Sequence, residues 1–208
     1  MDRLADLFAA AAAGSFPPAD GVVEVVPGPA DLDFEAVVEF TGHAVVATDL
    51  PEAEVLAQGH NAFGGIVSPG FLRWLAGPEG EVGSHDAVLV RLGTGDATLP
   101  VHVDLEHHSR VIAAHRRRRD VTVYGDARGL ATVGRGLAGR WEISVELLEG
   151  TSPGQGAGRA LIAAAVGHIP LDEPVFASVA PGNAASLRAF LACGFKPIGA
   201  EVVVHPVR

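Results

Sequence analysis

The sequence predicts an α/β protein whose mixed sheet is flanked by helices. In residues 101–208, the predicted elements follow the order strand-helix-strand-strand-strand-helix-strand-helix-strand. A strand at 141–148, a helix from about 156 to 168 and a strand at 175–179 form a β-α-β unit, which should have parallel strands and a right-handed connection. Hydrophobic residues make up 48% of the 208 residues and charged residues 19%, which is enough apolar material for one large domain or two small ones.

The first hundred residues predict a smaller α/β segment that precedes this core. A helix should begin after Asp2, a favourable N-cap, and another after Ser68, which is followed by proline. The predicted boundary is the turn-prone stretch 93–100, which divides an accessory segment (1–100) from the core (101–208). That segment is either a half-domain or the early part of one continuous fold. Its other predicted elements are strands at 22–26, 34–40, 44–47 and 87–92 and a short helix at 51–58.

Each element of the core has a local signal. After a brief strand at 101–103, Asp104 should cap a helix that runs to about Arg118. The run Arg116–Arg119 would close this helix at a solvated C-terminal end, where positive charge is favourable. The remaining predicted elements are strands at 121–124, 130–134, 141–148, 175–179 and 202–205 and helices at 156–168 and 183–193.

Charge and histidine spacing disfavour two classes of site. The net charge of −10 disfavours nucleic acid, whose binders usually present a basic surface, and is easier to reconcile with a cationic, amine-bearing partner. His107, His108 and His115 would share the helix that ends near Arg118, but no carboxylate or cysteine stands at metal-ligand spacing from them. We therefore expect neither a nucleic-acid site nor a metal site.

Cysteine content and the N-terminus predict the compartment. Cys193 is the sole cysteine, so no intrachain disulfide forms, and a reducing compartment such as the cytoplasm is expected. The N-terminus carries Asp2 and Asp6, where a signal peptide would be basic. No stretch reaches the ~18 apolar residues that a membrane-spanning helix needs. A single lysine, Lys196, among many arginines indicates a GC-rich bacterial genome.

A glycine-rich turn at 154–159 predicts a phosphate-binding helix start. It reads Gly-Gln-Gly-Ala-Gly-Arg and lies between an extended apolar run and an Ala/Leu/Ile-rich helix. The unpaired N–H groups of a helix N-terminus attract anions, and glycine removes the Cβ atoms that would block their approach, although a ligand-free turn remains the alternative. Arg159 at the sixth position excludes the nicotinamide fingerprint, and the position of the sole lysine excludes a P-loop. The predicted phosphate-binding residues are Gly154, Gln155, Gly156, Ala157, Gly158 and Arg159.

A second segment, 183–195, predicts a short capped helix that ends in Gly-Phe. Asn183 is a favourable N-cap, and Gly194 is a natural terminator. Ser186 and Phe190 lie on roughly the same helix face as Asn183. Capping explains Asn183 on its own, but capping and ligand contact can coexist in one residue.

The two segments, in this order and with one strand between them, resemble the acyl-CoA-binding core of the GNAT superfamily of N-acetyltransferases. The turn is similar to the family's Arg/Gln-x-x-Gly-x-Gly/Ala motif, with Gly156 and Gly158 at the small positions and Pro153 at the leading position. The helix is similar to the family's Asn-x-x-Ala/Ser-x-x-x-Tyr/Phe-x-x-x-Gly-Phe pattern. The matching residues of the helix are Asn183, Ser186, Gly194 and Phe195.

The resemblance, which covers residues 101–208 best, implies a fold and a co-substrate. The fourth and fifth strands of such a core, here 141–148 and 175–179, splay apart. Pantetheine would lie between them and bond the main chain of Leu147 and Leu148, and a main-chain N–H there could also stabilise the oxyanion. The matched Asn and its neighbours on the second helix would contact the pantetheine arm and phosphates. Acetyl-CoA would be the donor, and a primary amine on a small molecule or peptide would attack it directly, in a monomer or homodimer.

Candidate catalytic groups follow from the strand that precedes the turn. Alternation places Glu142, Ser144 and Glu146 on one face, opposite an apolar one. The two glutamates are therefore either surface residues or candidates for the base that takes the proton of the amine. In the family a tyrosine on the second helix often protonates the thiolate, but Phe190 stands there, which leaves Tyr124 as a candidate acid. The alternatives are a catalytically inactive acyl-CoA-binding sensor or assembly module, and a different phosphate ligand at the same turn.

Overall fold

The computed structural model describes residues 2–102, 105–148 and 156–208, which form two compact units. The first unit comprises Met1–Val88 and Ile198–Arg208, and the second comprises Leu89–Pro197. The helices are α1 (Arg3–Ala12), α2 (Glu52–Leu56), α3 (Pro69–Ala76), α4 (Ser109–Arg117), α5 (Ala157–Val166) and α6 (Ala184–Ala192). The strands are β1 (Val23–Val26), β2 (Glu35–Phe40), β3 (His43–Ala47), β4 (Glu81–Leu92), β5 (Arg119–Asp126), β6 (Gly129–Arg135), β7 (Trp141–Leu147), β8 (Pro174–Val179) and β9 (Lys196–His205).

The first unit contains mixed pairing in the strand order β1-β3-β2-β9. β1 runs parallel to β3, whereas β2 pairs antiparallel with both β3 and β9. Side chains alternate between the two faces of a strand. In this sheet both faces carry apolar residues, so both must be covered. α1 covers one face, where Phe8 meets Phe40 edge to face with ring centroids 6.1 Å apart. α2 and α3 cover the other face, where Val37, Phe71 and Val202 belong to a common core.

Helix starts in the first unit follow the sequence signals. Asp2 caps α1 by accepting hydrogen bonds from two main-chain N–H groups, at 3.0 and 3.3 Å. Ser68 caps α3 by accepting a hydrogen bond from the N–H of Phe71 at 3.4 Å. The predicted elements of this unit are confirmed, although β4 begins at Glu81, six residues before the predicted start at 87.

The second unit also contains a mixed sheet. β5, β6 and β7 form an antiparallel meander, and β8 runs parallel to β7. On one face, Arg118 at the end of α4 contacts Glu142 of β7. On the other face, Leu161 of α5 lies directly over Gly129 of β6, and α6 packs against α5. The predicted fold class, a mixed sheet flanked by helices together with an N-terminal α/β segment, is confirmed.

α4 is shorter than predicted. It begins at Ser109 because His108 Nδ1 accepts a hydrogen bond of 3.2 Å from the second main-chain N–H of the helix and so caps it. The predicted cap, Asp104, lies outside the described residues. His107 and His108 therefore precede the helix and do not share it with His115, contrary to the prediction.

The boundary between the two compact units differs from the predicted one. The change of unit falls inside β4, between Val88 and Leu89, and not in the stretch 93–100. β9 returns the chain to the first unit because residues 200–204 pair with β2. An accessory role for residues 1–100 stays a prediction.

Candidate functional site

β7 and β8 separate soon after they begin. Their parallel register contains two residue pairs, and the second joins Glu142 with Phe176. β7 continues for five residues beyond this pair and β8 for three, yet no further pair joins them among the described residues. We call this open stretch, residues 143–147 of β7 and 177–179 of β8, the fork. The predicted splay of the two strands is therefore confirmed.

The open edge of β7 presents main-chain groups to the fork. The N–H of Leu148, just past the strand, donates to the carbonyl of Arg128 at 3.1 Å, on the β6 side. Main-chain groups of successive strand residues alternate in direction, so those of Leu147 and Val145 point away from β6 and into the fork. Leu148 therefore does not offer its N–H to a ligand, contrary to the prediction, whereas Leu147 has the required orientation.

α5 begins beside the open end of β7. Its N-cap residue, Gly156, has a left-handed φ of +82° and supplies no side-chain cap. The N–H of Ala160 donates to the carbonyl of Gly156 at 2.9 Å, so the N–H groups of the three residues between them have no acceptor inside the helix. A Cβ added to Gly158 would lie 3.9 Å from Leu147 Cδ1 and meet nothing closer. Two other predicted phosphate contacts lie outside the described residues: Gly154 and Gln155.

α6 carries the predicted cap and a core aromatic residue. Asn183 Oδ1 accepts a hydrogen bond from the N–H of Ser186 at 3.1 Å. Phe190 is buried and meets Phe195 edge to face, with ring centroids 5.0 Å apart. Phe190 therefore contributes to packing, and its ring has no proton to give.

Glu142, one of the two candidate bases, is buried in a cluster of charges on the α4 face of the sheet. Its carboxylate accepts hydrogen bonds from Arg118 Nε at 2.9 Å and from Arg140 Nε at 2.8 Å. Burial alone would raise the pKa of Glu142, but the charges of Arg140 and Arg118 and their hydrogen bonds outweigh burial and hold that pKa below its usual value. A carboxylate that stays ionised and already accepts two such bonds is poorly suited to take a proton from a substrate.

Arg118 belongs to this cluster and not to a solvated helix end. It follows α4 in an extended conformation, with a φ of −142°. Its guanidinium also donates to Thr132 Oγ1 at 2.9 Å and to Ser144 Oγ at 3.4 Å. The expectation for Arg116–Arg119 is therefore wrong for Arg118, because buried acceptors on the sheet draw its side chain inward.

Glu146 lies on the same face of β7 as Glu142 and next to Leu147. Its carboxylate accepts a hydrogen bond from Arg110 Nε at 2.9 Å. The two side chains are 37% and 42% exposed, so the pair is accessible to a substrate. Arg110 holds the carboxylate in place, and Glu146 is the better placed of the two glutamates to act as a base.

Tyr124, the candidate acid, lies on the opposite face of the sheet. The register of β5, β6 and β7 places it in line with Ala131 and Val145, on the side that α5 covers. Its ring stacks on His168 with centroids 3.6 Å apart. The structure therefore does not bring Tyr124 together with the two glutamates.

Three arginines of the site were missed from the sequence: Arg110, Arg118 and Arg140. Arg140 stands two residues before Glu142 at the start of a strand, and opposite charges at this spacing share a face, so this pair could have been found. Arg110 and Arg118 have carboxylate partners 36 and 24 residues away, and nothing local marks them.

Across residues 2–102, 105–148 and 156–208, no group of three or more His, Cys, Asp or Glu side chains could hold a metal ion. Of the helices in those three ranges, none has the length and apolar character needed to cross a membrane. Burial raises the pKa of the Cys193 thiol, which keeps it protonated at neutral pH.

Comparison with known proteins gives likenesses in structure. No family model matches the sequence, and no curated protein matches it. The chain is similar to a GCN5-related N-acetyltransferase from Kribbella flavida, with 19% identity and a TM-score of 0.47 over 99% of this chain and 95% of that chain. It is similar to a functionally unknown conserved protein from Staphylococcus epidermidis, with 13% identity, a TM-score of 0.43 and coverage of 67% and 68%. It is also similar to an acetyltransferase of the GNAT family from Colwellia psychrerythraea, with 10% identity and a TM-score of 0.36 over 61% of this chain and 57% of that chain.

Likenesses at these identities and TM-scores do not indicate an activity for this chain. A function for this chain is therefore inferred from the residues of the site itself.

Proposed function

We propose that this chain is an N-acetyltransferase that transfers the acetyl group of acetyl-CoA to a primary amine. The observation that carries the proposal is the fork. β7 loses its partner after Glu142, and the main-chain groups of Val145 and Leu147 face the opening. A ligand with amide groups can pair with such an edge as an added strand does, and the pantetheine arm of CoA contains two amides.

The helix start next to the fork supports binding of the diphosphate. Ala157, Gly158 and Arg159 present main-chain N–H groups without helical acceptors, and the helix dipole favours an anion there. The space beside Gly158 lets an anion approach those groups closely. Gly154 and Gln155 would add contacts from the preceding turn, and Asn183 and Ser186 from α6.

The chemistry assigned to the chain is general base catalysis with main-chain stabilisation of charge. When bound, acetyl-CoA supplies a thioester whose carbonyl carbon the neutral amine attacks. The N–H of Leu147 or Val145 stabilises the negative charge that develops on the carbonyl oxygen. Glu146 takes the proton that the amine loses, directly or through a water molecule. As the N–C bond forms and the C–S bond breaks, the thiolate takes a proton from solvent, because Phe190 is a core residue and Tyr124 lies across the sheet.

The acceptor is proposed to be a cationic amine on a small molecule or peptide. The partly exposed carboxylate of Glu146 at the site favours such a molecule over an anionic one. The lone cysteine supports action in a reducing compartment, for which we propose the cytoplasm of a bacterium.

Thiol release tests this proposal. Acetyl-CoA is incubated with the protein and, in turn, a diamine, an aminosugar, a peptide with a free α-amine and a peptide with a free lysine. We expect release of the CoA thiol that depends on an amine and saturates with its concentration. Binding of acetyl-CoA without turnover for any amine would instead favour an inactive acyl-CoA-binding module. In a separate thermal-shift measurement, inorganic phosphate or a nucleotide that stabilised the protein as much as acetyl-CoA does would favour a different phosphate ligand.

A further inference from the structure

The two units differ sharply in charge. The first unit contains fifteen Asp and Glu residues against three Arg and no Lys, whereas the second contains ten Asp and Glu against twelve Lys and Arg. Between Arg3 and Arg73 the chain carries ten acidic residues and no Lys or Arg at all. The acidic character of the protein is therefore a property of the first unit.

The three arginines of the first unit are already engaged. Arg3 donates to Glu24 at 2.6 and 2.7 Å. Arg208 donates to Glu35 at 2.6 and 2.8 Å. Arg73 donates to two main-chain carbonyls near the end of α3. The exposed acidic groups of this unit therefore have few cations of their own unit to neutralise them.

The first unit also has an open sheet edge at β1. β1 is the outermost strand on its side, and no described strand pairs with its outer edge. The carbonyl of Val22 accepts a hydrogen bond from Ala44 of β3, and that of Val26 accepts one from Thr48, just past β3. The main-chain groups of Val23 and Val25 therefore point outward by alternation. β1 contains no lysine, the residue that proteins often use to protect an edge from pairing.

Acidic side chains lie at both ends of this edge. Asp20, at the start of β1, is exposed and accepts hydrogen bonds from the N–H of Val22 and from His43, each at 3.0 Å. At the other end, a groove of about 300 Å³ is lined by Val25, Val26, Pro27, Thr48, Asp49 and Leu50. Glu52 and Glu54 follow directly in α2 and are exposed.

We propose that the outer edge of β1 docks an extended, cationic segment of a partner protein by strand addition. The outward N–H and C=O groups of Val23 and Val25 would bond the main chain of the segment. The groove would take an apolar side chain, and Asp20 and Asp49 would face cationic ones. A second copy of the first unit would bring like charge to the same edge, which disfavours self-pairing. This surface belongs to the first unit and does not depend on the proposed acetyl transfer.

Peptide binding tests the proposal. The full chain is titrated into fluorescein-labelled Lys-Val-Lys-Val-Lys and Glu-Val-Glu-Val-Glu, and anisotropy is measured at about 50 and 150 mM salt. We expect the lysine peptide to bind at least about tenfold more tightly and to weaken with salt. Equal affinity for both peptides, or no binding, would overturn the proposal. Self-association of the chain that is lost in the Val25→Pro variant would assign the edge to a second copy and would also overturn it.

Two variants locate the binding at the edge. Val25→Pro removes an outward N–H and leaves the ladder with β3 intact, and Asp49→Asn with Glu52→Gln removes charge beside the groove. Each should weaken binding of the lysine peptide about tenfold. Asp33→Asn with Glu79→Gln is the matched control, because it makes the same charge change in the same unit away from β1, and it should keep most of the affinity. An equal loss in the control would mean non-specific attraction to an acidic surface and would overturn the proposal.

Discussion

The carboxylate of Glu142 joins separate parts of the second unit through one buried group. It bonds Arg118, which follows α4, and Arg140, which precedes β7. Glu142 also belongs to the last residue pair before β7 and β8 separate. This single side chain therefore ties the covering helix to the point where the fork opens.

We predict that Glu142→Gln lowers the free energy of unfolding by about 3–5 kcal/mol, because it leaves two guanidinium groups in a buried site without their counter-charge. Urea unfolding followed by circular dichroism measures this. Glu146→Gln is the matched control on the same strand, and its partly exposed pair with Arg110 should be worth less than about 1 kcal/mol. Equal losses in the two variants would contradict the cluster described for Glu142.

The same residue should make stability sensitive to acid. Burial opposes ionisation, but the charges of Arg140 and Arg118 leave the pKa of Glu142 below its unfolded-state value of about 4.5. Its contribution is therefore fully present above that pH and is lost as pH falls through the lower folded-state pKa. The difference in unfolding free energy between the natural protein and Glu142→Gln should shrink as pH is lowered from 7 to about 3. A difference that stays constant over this range would contradict the assignment.

Glu146 carries the prediction about catalysis. If it accepts the proton of the amine, Glu146→Gln should lower kcat about 100- to 10,000-fold, because an amide cannot act as a base. The affinity for acetyl-CoA should not change. The control is Glu173→Gln, which alters a glutamate that bonds Trp141 at the other end of β7. An unchanged kcat in Glu146→Gln would remove this residue from the mechanism.

At the scale of elements, the start of α5 allows a test with a close internal control. Gly158 and Gly70 both occupy the second position of a helix, in α5 and α3, and a Cβ fits at both. We predict that Gly158→Asp abolishes the thermal shift caused by acetyl-CoA, because a carboxylate would repel the diphosphate. Gly70→Asp should keep that shift. Both variants should fold, since an acidic residue in the first turn is favourable to a helix. A full shift in Gly158→Asp would contradict the assigned binding site.

The edge of β7 gives a second test. The N–H of Leu147 points into the fork, so Leu147→Pro removes a donor to the ligand without breaking the ladder to β6. We expect a loss of about tenfold in kcat/KM for acetyl-CoA, the equivalent of one hydrogen bond. Leu147→Val keeps the donor and should behave almost like the natural protein. Similar losses in both variants would indicate that the side chain, and not the N–H, matters.

Much of the secondary structure could be predicted because its signals are local. Asp2, Ser68 and Asn183 cap the helices they were expected to cap, and the glycine at 156 does begin α5. The direction in which main-chain groups point at the end of β7 could not be predicted from local signals. Whether Leu147 or Leu148 faces the fork depends on the register of β7 with β6, a pairing between separate segments that neither leucine signals by itself.

The site was less predictable than the elements for a related reason. Alternation was enough to predict that Glu142 and Glu146 share a face of β7. Their different surroundings depend on arginines in and just after α4, which the sequence did not indicate. Arg118 reaches the sheet because its backbone turns extended at the helix end, and a run of four arginines gives no sign of which one will do so.

At the scale of the whole molecule, pairing between distant segments defines the units. β9, at the end of the chain, joins β2 in the first unit, and no local pattern in residues 196–205 indicates this. The difference in charge between the units is present in the sequence, but it can be recognised only when residues are grouped by unit. The two proposals accordingly concern separate surfaces, an acyl-CoA site in the second unit and a peptide-binding edge in the first.

The most direct test of the proposed function is a crystal structure of the protein with acetyl-CoA. We predict that the pantetheine arm lies between β7 and β8, bonded to the main chain of Val145 or Leu147. The diphosphate should lie within hydrogen-bond distance of the N–H groups of Ala157 and Gly158. Density for acetyl-CoA at another place, or β7 and β8 paired along their whole length, would contradict the proposal.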